Sequence, residues 1–249
     1  MEIDLADAIA DIIVPDDAVP LGPEHRCSYL PGRSARDRAF IADAMPPLLY
    51  HRLLEQGYRR SGRIYYKPDC AGCKACEPMR VRTASFRPSR SQRRVWRKNA
   101  DLRVETNEPI ASEDRHALFV RYLEDQHDGT MSGDYDAFRA FLYDTQVDTV
   151  EVSYWLDDAL VGVGILDQCP LSLSTVYFYF DPDHGHRSLG VYSTLWEIAH
   201  ARQREIPYYY LGYYIRDAAT MNYKARFRPH ERRMPDGTWQ GFDDGTVRP

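Results

Sequence analysis

Residues 172–215 read "SLSTVYFYFDPDHGHRSLGVYSTLWEIAHARQREIPYYYLGYYI". "SLSTVYFYFDPD" (172–183) is rich in β-branched and aromatic residues and predicts a strand, with Asp181 at its end. From His186 the pattern changes to an amphipathic helix that runs to Ile206. "PYYYLGYYI" after it is a second strand. "RDAATMNYKARF" after it is a short helix. Strand, loop, long helix, strand, short helix is a mixed α/β unit.

The segments around this unit extend it. "TVEVSYWLDDALVGVGILDQC" (149–169) is two strands about the turn Asp157-Asp158. "SEDRHALFVRYLEDQH" and "YDAFRAFLYD" are helices before it, and "DLRVETNE" is a strand. Farther upstream, a helix is expected to begin at a Ser34 cap and to break at Pro46-Pro47, with Pro47 in the first turn of a second helix. "RIYYKP" and "MRVRTASF" are strands on either side of "CAGCKACEP". A division near residue 105 is expected: residues 1–105 as an N-terminal α/β domain with the cysteines and a basic helix, and 106–249 as the domain built on the quoted unit.

Charge is sorted along this chain. Met79 to Ala100 contains eight Arg and Lys and no acid, while the whole chain has a formal net charge of −5, so the remainder carries −13. Pro88 opens a helix, "SRSQRRVWRKN", on which Arg90, Arg93, Arg94 and Arg97 fall at i, i+3, i+4 and i+7. That spacing puts them on one face, where they repel one another unless an anion lies against them. The expected anion is nucleic acid, bound mainly through phosphates, with Lys98 adding to the face. Ser89, Ser91 and Gln92 are candidates for further hydrogen bonds. Trp96 suits either stacking on a base or anchoring the helix.

Composition is that of a soluble globular protein, with 43% hydrophobic and 28% charged residues. "LVGVGIL" (160–166) is far too short to span a membrane. The first residues, "MEIDLADAIADIIVPDD", lack the basic region of a secretory signal, and a cytoplasmic protein is expected. Cys70-x2-Cys73-x2-Cys76 offers three thiolates in one loop, with Cys27 as a fourth ligand brought in by folding. Zn²⁺ or an iron–sulfur cluster suits such a set, and a metal-free reduced loop is the alternative. Cys169 reads as a small apolar residue. His184 and His186 read as exposed loop residues.

The order of elements resembles the acyl-CoA acetyltransferase (GNAT) core. That family holds its coenzyme pyrophosphate on an R/Q-x-x-G-x-G/A loop at the long helix start. "RSLGVY" supplies Arg187 and Gly190 but ends in Tyr192, whose ring obstructs close backbone approach. A GNAT-like acyltransferase with a different donor is expected. A donor that is both an acyl ester and a polyanion is aminoacyl-tRNA. A coenzyme-A-dependent enzyme and a noncatalytic RNA-binding module stand as alternatives.

"CSYLPGRSARDRAF", "GYRRSGRIYYKPDCAGCKACEPMRV", "FRPSRSQRRVWRKNADL", "YFYFDPDHGHRSLGVYSTLWEI" and "PYYYLGYYIRDAATMNYKARFRP" resemble the arginyl/leucyl-tRNA–protein transferase family, most closely its bacterial leucyl branch. The likeness spans residues 27–230. It implies an aminoacyl-tRNA donor, a protein acceptor with N-terminal Asp or Glu, and a product marked for N-degron proteolysis. Leucine is the donor implied. An arginine donor would want acids such as Glu151, Asp157, Asp158 or Asp167.

The chemistry needs no cofactor, because the ester already stores the energy of the new bond. Asp181, at a strand end, is the candidate proton acceptor, and Tyr213 a candidate donor to the leaving ribose oxygen. Arg33, Arg90 and Lys224 are candidates for the acceptor's carboxylate. Tyr179 is a candidate substrate contact, and Gly212 in mid-strand points to a close approach.

Overall fold

The computed structural model describes residues 13–126, 131–243 and 246–248. At the start of the chain β1 (His25–Arg26) pairs with β2 (Ser34–Ala35). Next come β3 (Asp37–Ile41), α1 (Pro47–Glu55), β4 (Arg59–Ser61) and β5 (Ile64–Pro68), with the strands in the order β3-β5-β4. The helix expected from Ser34 is therefore not formed. All five residues of β3 pair with β5 instead, and ladder hydrogen bonds with burial outweigh weak helical propensity. Pro47 does open α1, as its fixed φ and missing N–H favour.

β6 (Glu77–Arg82), α2 (Arg90–Lys98), β7 (Arg103–Asn107), α3 (Glu113–Gln126), α4 (Tyr135–Leu142), β8 (Thr149–Leu156) and β9 (Ala159–Cys169) follow. The quoted unit then forms as β10 (Ser172–Phe180), α5 (Leu189–Gln203), β11 (Tyr208–Tyr214) and α6 (Ala219–Asn222). β12 (His230–Arg233), β13 (Trp239–Asp243) and β14 (Thr246–Arg248) were not foreseen from the sequence.

These strands make a nine-stranded sheet in the order β14-β13-β12-β6-β11-β10-β9-β8-β7. It takes β6 and β7 from near or before residue 105 and the rest from after it. The fold is mixed α/β and GNAT-like in its element order. β10 and β11 are its parallel pair, and they are bonded only over Ser172↔Tyr208, Leu173↔Tyr209 and Ser174↔Tyr210. Beyond Ser174 the two strands diverge.

Both faces of the sheet are covered. Tyr154, Leu173, Tyr209 and Leu211 pack with Leu189, Tyr192, Leu195 and Ile198 of α5. On the other face Val163, Ile165 and Tyr179 pack with Leu118, Phe119 and Leu123 of α3 and Phe138 and Leu142 of α4. Alternation along β10 sends Phe178 and Phe180 to the first cluster and Tyr177 and Tyr179 to the second.

The N-terminal unit is fastened by a buried ion pair. Arg60 reaches Asp167 of β9 through Nε (2.7 Å) and Nη2 (2.6 Å), and the Tyr50 hydroxyl donates to the same carboxylate at 2.6 Å. No helix among the described residues is long and apolar enough to cross a membrane.

β11 departs from simple alternation. The sequence puts Tyr209, Leu211 and Tyr213 on one face. The ladder to β6 shifts register between Tyr210 and Gly212, and Gly212 adopts φ 83°. One extra residue in a strand inverts the facing of everything after it. Tyr209 and Leu211 stay under α5, and Tyr214 joins them, while Tyr213 turns to the N-terminal unit, beside Leu30, Ile215 and Cys76.

Candidate active site at the strand divergence

Where β10 and β11 part, a side chain from β4 enters the gap. Arg59 donates through Nη1 to Ser174 Oγ at 2.7 Å and through Nη2 to the Thr175 carbonyl. A Cβ added to Gly212 would lie 3.5 Å from Lys224 Nζ and 3.8 Å from Arg59 Nε and Nη2. Two cations thus face the same glycine. Lys224 Nζ donates to the Tyr213 carbonyl at 3.0 Å. Neither cation forms an ion pair with a described carboxylate. Burial, and then the neighbouring Arg59 charge, pull the Lys224 ammonium down to about 7. A carboxylate arriving here would meet two preformed partners.

Sequence reasoning named Lys224, which lies here, and did not name Arg59. The signal was "RR" at 59–60, where alternation along a strand sends neighbours to opposite faces. Arg60 is committed to Asp167, and Arg59 points to the gap.

Tyr213 also lines a cavity of 380 Å³ between the N-terminal unit and the end of β11. All four clustered cysteines line it. Burial and the three other sulfurs raise the Cys76 thiol to about 12, so it is held neutral. Thiols are the right donors for Zn²⁺ or an iron–sulfur cluster. Among the described residues, however, no group of three or more His, Cys, Asp or Glu side chains has the arrangement of a metal site.

The basic helix forms as expected. Ser89 accepts from the Gln92 N–H and the Gln92 side chain accepts from the Ser89 N–H, closing a capping box. Those two side chains are therefore committed to the helix start. Gln92 is buried and also donates to the Arg226 carbonyl. Arg90, Arg93, Arg94, Arg97 and Lys98 are all exposed, and none is paired with a described carboxylate. Trp96 is 40% exposed and rests on Tyr192, ring centroids 5.5 Å apart.

This contact explains the altered loop. Tyr192 is buried between Trp96 and Tyr154. Lys98 donates to the His186 carbonyl and Asn99 to the Arg187 carbonyl. Arg187 makes two bonds of 2.9 Å to Asp101. The last turn of α2 thus occupies the approach to the loop that holds pyrophosphate in coenzyme-A-dependent enzymes.

The remaining candidates lie elsewhere. Asp181 receives both Nη groups of Arg121, at 3.0 and 2.8 Å, and caps the turn at Asp183, so its oxygens are already engaged; Arg121 is shared with Asp183. The Tyr213 hydroxyl donates to the Gly57 carbonyl at 2.8 Å, and burial raises its pKa well above the ordinary value. Its proton is held in the fold. Tyr179 is fully buried beneath α3 and α4, 3.2 Å from the Tyr143 hydroxyl. Arg33 stands exposed at the cysteine pocket, donating to Cys73 Sγ at 3.5 Å. The three cations suggested for the acceptor thus occupy three places: Lys224 beside Arg59, Arg33 at the pocket, and Arg90 on the basic face.

The chain matches the family model "Arginine-tRNA-protein transferase, N terminus" over residues 25–94 and "Arginine-tRNA-protein transferase, C terminus" over residues 114–234. It is 42% identical over 221 residues to a Marinobacter nauticus protein named aspartate/glutamate leucyltransferase, covering 88% of this chain and 93% of that one. A protein of the same name from Thiobacillus denitrificans is 40% identical over 227 residues, covering 90% and 94%. Among solved structures, FemX aligns at 10% identity and a TM-score of 0.43, covering 66% of this chain and 59% of that one.

Proposed function

The chain belongs to the arginine-tRNA–protein transferase family, and from that premise we propose that it moves leucine from Leu-tRNA to the α-amine of proteins that begin with Asp or Glu. The observation that carries the acceptor half of this reading is the unpaired cation pair, Arg59 and Lys224, at the strand divergence. The exposed arginines of α2 carry the tRNA half. The reaction belongs in the cytoplasm, where charged tRNA is available, and its product would enter N-degron proteolysis.

The acceptor's side-chain carboxylate sits between Lys224 and Arg59, which orients the α-amine into the gap between β10 and β11. An α-amine has a reference pKa of roughly 7.7–8.0, so part of it is neutral at pH 7. It attacks the aminoacyl ester carbon. The C–N bond forms, the bond to the ribose oxygen breaks, and the amine's proton passes through water to that oxygen. Holding the two reactants together supplies most of the rate. A backbone N–H of the diverging strands would receive the oxyanion in this reading. The cysteine cluster shapes the pocket wall. Zn²⁺ or an iron–sulfur cluster would first have to draw the sulfurs together, and no step above depends on one.

The test is a transfer assay with tRNA carrying labelled leucine or labelled arginine and peptides beginning Asp, Glu, Asn or Ala. Leucine should move to Asp and Glu. Lys224→Met should cut the Asp-over-Asn preference at least tenfold and leave the KM for tRNA within twofold. Transfer of neither amino acid, with the esters shown intact, would sink the proposal. Full discrimination by Lys224→Met would remove the carboxylate assignment.

A further inference from the structure

We propose that the 380 Å³ pocket receives the side chain of the donor amino acid, and that its carbon lining selects leucine over a cationic donor. This inference rests on the transferase reading above. The lining includes Leu30, Ala39, Ile64, Tyr66, Phe141 and Ile215. These side chains offer a branched aliphatic group contact on several sides. The pocket adjoins the cation pair at Tyr213, which lines the pocket and gives its carbonyl to Lys224. An acyl group seated beside Tyr213 therefore lies next to the place assigned to the acceptor.

A guanidinium would be poorly served here. It carries five N–H donors and needs carboxylates or carbonyls around it. The one acid lining the pocket, Asp37, is bonded to His25 at 3.0 Å. Arg33 at the same pocket adds a repelling charge. The acids that the sequence left open for an arginine donor lie elsewhere. Glu151 is bound by Arg115 and Asp167 by Arg60. Asp157 and Asp158 are exposed at the β8–β9 turn.

An apolar pocket discriminates by fit, and one methylene is worth roughly 10- to 200-fold in kcat/KM. Changing the volume should therefore change the preferred donor. The experiment uses one tRNA acylated chemically with Ala, Leu, Phe or Arg, an Asp-initiated acceptor, and three proteins: wild type, Ala39→Phe and Ile64→Ala. Wild type should prefer Leu to the other three. Ala39→Phe should lower Leu transfer about tenfold or more while Ala transfer stays within twofold. Ile64→Ala should raise Phe transfer about tenfold. Ile64 is 44% exposed, so its variant keeps the fold and decides the matter if Ala39→Phe is unstable.

A uniform change across all four donors would overturn the inference and assign the pocket to a part common to them, such as the terminal adenosine. Unchanged preference in Ile64→Ala would overturn it as well. If wild type transfers none of the four intact esters, the transferase reading itself has failed. A pocket failure leaves wild-type transfer of leucine in place, so the two are distinguishable.

Discussion

Replacing Arg90, Arg93, Arg94 and Arg97 together with Ala should change the salt dependence of tRNA binding in a calculable way. The four side chains are exposed on one face of α2 and bear no described carboxylate. Each phosphate neutralised releases condensed counterions and contributes roughly −0.7 to −0.9 to the slope of log K against log salt. Four contacts then contribute roughly −2.8 to −3.6 to that slope. Between 50 and 200 mM salt this corresponds to about a hundredfold in affinity carried by this face alone. The helix should survive, since Ala is a good helix former and the capping box and the inward Gln92 and Asn99 are untouched. The assay is fluorescence anisotropy of labelled tRNA at several salt concentrations, with Tm as the folding control. The variant's slope should be shallower by about three, and each single Arg→Ala by somewhat under one. A quadruple variant with a slope within one unit of wild type would refute the assignment of this face to phosphate.

Asp167→Asn should destabilise the protein by about 3–5 kcal/mol in chemical denaturation, because it leaves the buried Arg60 guanidinium without its counter-charge; a loss under about 1 kcal/mol would contradict this. The Asp-over-Asn acceptor preference should be largest near pH 6 and fall through pH 7–8. Lys224, lowered to about 7 by burial and Arg59, is a cation below that value and neutral above it, while the α-amine titration is shared by both acceptors. A ratio flat from pH 6 to 9 would exclude Lys224 as the selecting charge. Glu197 is raised to about 7 by burial, against bonds from Tyr209 and Ser193. The folded state holds this proton more tightly than the unfolded one. Its contribution is therefore full below about 4.5 and falls as pH rises to 7, by about 3 kcal/mol in all. Glu197→Gln should flatten that part of the stability profile measured by urea titration at pH 4.5–8.

The sequence by itself determined what depends on neighbours along the chain. Helical and strand periods gave the long helix, the strands on either side of it and the one-faced arginines, because side-chain direction repeats with local geometry. Pro47 and Pro88 marked helix starts for equally local reasons. The motifs between residues 27 and 230 placed the chain in its family. The tertiary structure decided the site. β3 is a strand because β5 lies beside it. Alternation along a strand sets Arg59 and Arg60 on opposite faces, and only packing gives Arg60 to Asp167 and Arg59 to Ser174. Asp181 and Tyr213 looked available until Arg121 and the Gly57 carbonyl were found against them. Tyr192 was legible as an obstruction but not as the seat of Trp96. The bulge before Gly212 reverses which way Tyr213 faces, and with it where the pocket and the cation pair meet. Each of these is settled by a contact between segments far apart in the chain, and strand register and the competition among buried polar groups are fixed only when those segments come together.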